Sequence, residues 1–221
     1  MAKRTKKEKK ELGAFATEEL KKLYPAAECA LHWQGEPWKL LVMGRLSAQC
    51  TDARVNIVCD ELFSRFPTLS DLADAPLSEI EDVIRPCGLF RTKAANIKDA
   101  CIRLRDVYGG VLPETMDELL TFEGVGRKIA NLLLGDVYGM PAIVADTHCM
   151  RICGRLGFYP DGQKDPRRTE RIMSELIEPS EQSDFCHRIV QFGRDVCQAR
   201  SPRCDGCPLR EKCDYAAKKI K

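Results

Sequence analysis

No uncharged apolar run in this sequence approaches the ~18 residues that a membrane-spanning helix needs. The longest stretches, such as Leu132-Leu133-Leu134, are interrupted at once. A helical membrane protein is therefore excluded. The basic start, Met1 to Lys10, has no apolar stretch behind it to complete a signal peptide, so a secreted protein is not expected. No tract is rich in proline or glycine, and aromatic residues make up only 7% of the chain. Charge of one sign is scarce as well. The 35 basic and 33 acidic residues leave +2, a field too weak to argue for or against an anionic partner. The charge that exists gathers at the ends, and Lys3 to Lys10 reads as a solvated, partly disordered tail, with a phosphate-touching arm as the alternative.

Cysteine is what the chain has in abundance: twelve in 221 residues. In a reducing compartment, thiols are core residues, nucleophiles or metal ligands. Cys29, Cys50, Cys59, Cys87, Cys101, Cys149, Cys153 and Cys186 stand singly or at helical spacing, as small buried hydrophobes do. Cys197, Cys204, Cys207 and Cys213 crowd into one short segment with Pro202 and Pro208. Four thiolates in so irregular a stretch need a metal centre to order them. Only the middle two form a close pair, so spacing leaves both zinc and [4Fe–4S] open.

Period-two alternation is absent, and apolar residues recur instead at three- and four-residue steps. The helical stretches are Trp38 to Gln49, Asp52 to Phe66, Ala94 to Tyr108, Lys128 to Val137 and Glu170 to Ile177. Ser78 with Glu81 reads as a capping box opening a helix at Glu79. Turn residues make Tyr159 to Pro166 a loop. The expected fold class is all-α.

Two segments carry chemistry. In Leu119 to Leu134, a short apolar helix ends, Gly124-Val125-Gly126 turns, and a second helix begins near Arg127. Glycines at both ends of such a turn permit positive φ and bare the surface. The first-turn amides of the second helix can then point at a phosphate, a contact that positions a protein on DNA without reading sequence. Lys128 sits in that first turn, where the helix dipole opposes a cation. The same field favours the neutral amine, a nucleophile able to form a Schiff base. In the second segment, Ile143 to Gly157, an apolar approach meets Asp146 just before a helix. Aspartate there is either an N-cap or a carboxylate that stabilises a cation and relays a proton.

In combination these motifs resemble endonuclease III, the bifunctional DNA glycosylases of the helix-hairpin-helix superfamily. The resemblance spans about Pro37 to Tyr215. It is carried by Leu46 to Asp52 (Leu-Ser-Ala-Gln-x-Thr-Asp), Gly88 to Ala94, Gly124 to Lys128, Asp146-Thr-His148 and the six, two, five spacing of the last four cysteines.

The resemblance implies two helical domains flanking a DNA-binding cleft. One is a six-helix domain over 30–140; the other is discontinuous, 1–29 with 141–221, and carries a [4Fe–4S] cluster on Cys197, Cys204, Cys207 and Cys213. It implies that Lys128 attacks C1′ of an oxidised pyrimidine nucleotide with help from Asp146, and that β-elimination then cleaves 3′ to the abasic site. Gln49 is the implied gap filler, Leu89 the wedge, Gly124, Val125 and Gly126 the backbone contact, and Arg203 a phosphate ligand. The implied partner is double-stranded DNA with damaged pyrimidines or abasic sites, met by a monomer in a bacterial-type cytoplasm at the nucleoid.

The chain departs from the family at three places: Glu123 stands where members usually have proline, Ser201 where a second basic residue is frequent, and Arg45 within a usually apolar run. An acid beside a phosphate site is unfavourable unless it points away.

Overall fold

The computed structural model describes residues 4–219. Thr5 opens the first helix, α1 (Lys6–Leu23), through a capping box: its hydroxyl accepts from Glu8 N, and Glu8 accepts from Thr5 N at 2.7 Å. The lysines from Lys6 to Lys10 are thus helical, which corrects the reading of that run as a tail. Its polar residues hid the amphipathic face formed by Leu12, Ala16 and Leu20.

The chain divides into two compact units, Cys29–Tyr138 and the chain on either side of it. The Cys29–Tyr138 unit is built around α2 (Pro37–Leu46). Proline at its first turn suits a position whose N–H has no intrahelical acceptor, and the helix is buried on nearly every side. Leu40, Leu41, Val42, Met43 and Leu46 are fully buried, each contributing roughly 1.5–3 kcal/mol. Against it pack α3 (Asp52–Arg65), α6 (Phe90–Asp106) and α8 (Arg127–Tyr138), while α4 (Leu69–Asp74) and α5 (Leu77–Ile84) pack on α6 and α7 (Met116–Leu119) on α8. Thr51, Thr68 and Thr115 cap α3, α4 and α7. The box expected at Ser78 and Glu81 does not form. Pro76 occupies the N-cap, so α5 starts two residues early and Ser78 lies inside it.

The other unit holds α1 with α9 (Thr147–Leu156), α10 (Pro166–Leu176), α11 (Gln182–Asp195) and α12 (Asp214–Lys219). Phe185, Ile189 and Phe192 of α11 and Ile152 and Cys153 of α9 are fully buried. Arg4 donates to the carbonyls of Leu156 and Lys212, both at 2.8 Å, and pairs with Asp214. That ties the start of the described chain to the segment after the last cysteine. Among the described residues there is no strand, and no helix is long and apolar enough to cross a membrane. The all-α expectation holds.

Candidate nucleic-acid interface and catalytic residues

The Cys29–Tyr138 unit contains the glycine hairpin. Phe122 is its buried anchor, stacked on Tyr108 at 5.4 Å with the Arg103 guanidinium over both rings. Val125 N donates to Phe122 O, closing the turn, and Ala130 N donates to Gly126 O as α8 begins. Amides ahead of that bond aim out of the N-terminal end by helix geometry. The two glycines differ in kind. Gly124 has φ +74°, and a Cβ there would fall inside the guanidinium of Arg45; its requirement is internal. At Gly126 a Cβ would meet nothing within 4 Å and φ is not positive. No neighbour in the fold crowds position 126.

Lys128 is the second residue of α8 and is exposed. No ion pair engages it among the described residues. Gln49 and Leu89 lie in the same unit on separate turns. Both adopt left-handed backbone, φ 55° and 47°, a conformation costing a residue with a Cβ roughly 1–2 kcal/mol. Leu89 is also 62% exposed, so an apolar side chain is held in water on a strained backbone. Lys93 of α6 is the fastener between these turns. Fully buried, its ammonium donates at 2.9 Å to Leu46 O and at 2.9 Å to Cys87 O. One cation thereby ties the end of α2 to the segment before Gly88. Burial pushes its pKa down, partly offset by the nearby thiols of Cys50 and Cys87. Reading the sequence gave Lys93 no role. Its signal was register, since Lys93 shares the face of Ala94, Ile97, Ala100 and Leu104 that α6 buries.

Asp146 belongs to the other unit, half-buried at the N-cap of α9. Its Oδ1 accepts from Cys149 N at 2.7 Å. The capping reading is therefore realised, and it uses one carboxylate oxygen; no hydrogen bond engages Oδ2 among the described residues. The turn behind it is pinned by Val144 N donating to Cys186 Sγ at 3.3 Å, and Cys149 and Cys153 are core residues, as their spacing suggests. His148 meets Arg151 Nη2 at 3.2 Å, and that same nitrogen donates to Cys197 O at 3.1 Å.

Cys197, Cys204, Cys207 and Cys213 are free thiols. All four line one cavity, in part open to solvent, walled by Phe192 and Leu209 among others. Burial, and then the neighbouring thiols of Cys213, Cys197 and Cys204, push the Cys207 thiol up to about 11. Acidic sulfurs that disfavour one another's ionisation are what a cationic centre relieves. Four thiols on one cavity are a donor set whose chemistry fits a sulfur-ligated metal centre. Arg155 braces the segment, donating to Cys197 Sγ at 3.3 Å, Gln198 O at 2.8 Å and Ala199 O at 2.7 Å. Arg200 and Arg203 are exposed between the first two cysteines, and Arg203 N is fixed to Val196 O.

Comparison with known proteins gives a consistent picture. The family model of HhH-GPD superfamily base excision DNA repair proteins matches residues 42–179. Endonuclease III of Synechocystis sp. is 44% identical over 198 residues, covering 89% of each chain. A non-covalent endonuclease III–DNA complex superimposes with a TM-score of 0.89 at 40% identity, over 96% of this chain and 98% of that one. A trapped endonuclease III–DNA covalent intermediate gives the same score and identity, over 96% and 99%.

Proposed function

The chain belongs to the HhH-GPD superfamily of base excision DNA repair proteins and within it to the endonuclease III family, and from that premise we propose that this DNA glycosylase excises oxidised pyrimidines through an imine at Lys128 and then nicks the strand. The observation that carries this reading is Lys128, exposed in the first turn of α8 two residues after a glycine around which the fold leaves open space.

The amine of Lys128 attacks C1′. The C1′–N bond to the base breaks, the base leaves with that electron pair and takes one proton from the amine, and the C1′–O4′ bond then opens, O4′ taking the amine's second proton as the imine forms. The imine acidifies the 2′ hydrogens. Loss of one expels the 3′ phosphate oxygen as a 5′ phosphate on the other fragment, and water then hydrolyses the imine, freeing the Lys128 amine and leaving an unsaturated aldehyde on the first fragment. To Asp146 we assign stabilisation of the developing positive charge through the carboxylate oxygen that capping leaves over. Gln49 fills the gap left by the extruded nucleotide and Leu89 wedges the stack. Backbone strain of the kind seen at both is what a preformed insertion device carries, and extrusion itself costs a few kcal/mol.

The hairpin Gly124-Val125-Gly126 meets a phosphate with the amides that the turn leaves over, the Val125 N–H being engaged by Phe122 O, and Arg203 contacts another. The four cysteines would hold a [4Fe–4S] cluster, which when bound would order the loop that displays Arg203. The enzyme works as a monomer on duplex DNA in the bacterial cytoplasm, at the nucleoid.

The test is a duplex carrying one oxidised pyrimidine, scored for free base and for nicked strand. Both products are expected, with nicking dependent on base release. Nicking of an abasic strand without release of any oxidised pyrimidine would overturn the substrate assignment.

Two variants probe the DNA contacts. Gly126→Ala places a methyl where only a partner is expected, so affinity for duplex DNA should fall about tenfold or more, while loss of the glycine N-cap costs the fold about 0.5–1 kcal/mol. Anisotropy and a thermal melt read the two separately. Leu89→Gly relieves roughly 1 kcal/mol of left-handed strain, offsetting the freedom glycine adds to the unfolded chain. Its melting midpoint should hold or rise while duplex turnover drops about tenfold. A lower midpoint with normal turnover would mark Leu89 as a packing residue.

A further inference from the structure

Two departures that look unrelated in sequence, Glu123 and Arg45, meet in the fold. Glu123 is exposed immediately before Gly124, so its carboxylate opposes an anion docking at the hairpin. α2 supplies an offset. Gly44 lets it approach α8 closely, since a Cβ there would come within 3.1 Å of Ile129 Cγ2. The next residue, Arg45, lays its guanidinium against Gly124. Asn96 of α6, with its amide assigned the orientation that satisfies both ends, accepts from Arg45 Nε at 3.3 Å and Nη2 at 2.6 Å and donates to Thr92 O at 3.1 Å. The guanidinium is thus aimed by a side chain that is anchored to its own helix. Burial disfavours the arginine's charge and the Glu123 carboxylate favours it.

We propose that Arg45 is a positioning residue for DNA docking, the countercharge that cancels the field of Glu123 at the hairpin and so lets an acid occupy the turn without loss of phosphate binding. This rests on the reading of the hairpin as a DNA-backbone contact. A chain that carries one of the pair needs the other, because an unpaired Glu123 repels the phosphate.

A double-mutant cycle on the cluster-loaded protein tests it, using Arg45→Met, Glu123→Gln and the two together. Affinity is measured by anisotropy on a duplex with an uncleavable abasic analogue, and the single-turnover nicking rate at saturating protein on a true abasic site. Arg45→Met should weaken binding about tenfold at low salt, with a smaller loss at high salt. Glu123→Gln alone should tighten it by at most about threefold, and the double variant should recover to within about threefold of the unmodified protein. The saturated rate should stay within about threefold throughout, because docking rather than chemistry is affected.

Arg45→Lys, which keeps the charge, should retain most of the affinity even if Arg45→Met is poorly folded. An equal cost of Arg45→Met with and without Glu123→Gln, or an Arg45→Lys as weak as Arg45→Met, would overturn the proposal. Gly126→Ala separates the two levels. If it leaves affinity unchanged, the hairpin reading itself fails; if it weakens binding while the cycle is additive, only the role of Arg45 fails.

Discussion

Lys128→Gln is expected to lower single-turnover nicking at an abasic site by at least about 10³-fold, about 4 kcal/mol in the barrier. Without the amine there is no imine, and without the imine the 2′ hydrogens are not acidified. The substitution is mild in every other respect. Glutamine is a good helix former, the site is exposed, and surface changes of this kind usually stay within about 0.5 kcal/mol of stability. Affinity for an uncleavable abasic analogue should therefore hold within a few-fold. A parallel loss of binding and rate would make Lys128 a DNA-backbone ligand, and near-normal nicking would remove it from the chemistry.

Asp146→Asn separates two roles that the structure places on one side chain. Asparagine caps helices about as well as aspartate, so the bond to Cys149 N survives and only the charge goes. The melting midpoint should fall by no more than about 2 °C, which allows for the lost charge–dipole term. Turnover should fall about 10²-fold, the scale of removing one well-aimed electrostatic contact from a transition state. DNA affinity should change little. A collapsed midpoint together with a normal rate per folded molecule would show that capping is all Asp146 does.

Much of this was legible in the amino-acid order, and the failures have physical reasons. Helix periods at α2, α3, α6 and α8 could be read because one face of each is apolar. α1 could not be read that way, since its first turn is lysine-rich; the Thr5–Glu8 box was the available signal. At α5 two start signals competed, and Pro76 prevailed over Ser78 because a proline-fixed φ commits the chain two residues earlier. The hairpin glycines stood out in the sequence, but not their difference, which depends on Arg45 reaching Gly124 from another helix. Left-handed backbone at Gln49 and Leu89 leaves no trace in composition, because neither is a glycine. Lys93 illustrates the same limit. A lysine on an amphipathic helix is assigned to solvent unless the carbonyls it satisfies, here Leu46 O and Cys87 O, are known to converge on it.

Strain, a buried cation and a countercharged acid all lie in the Cys29–Tyr138 unit, around the turns assigned to DNA. That pattern is expected where a fold preorganises a binding surface rather than optimising its own packing.

The most direct test of imine chemistry is borohydride reduction of the protein with a duplex bearing one abasic site, followed by proteolysis and mass mapping of the adduct. The account predicts a single adduct on the peptide that contains Lys128. An adduct on a different amine, or none from folded protein that still nicks the strand, would contradict it.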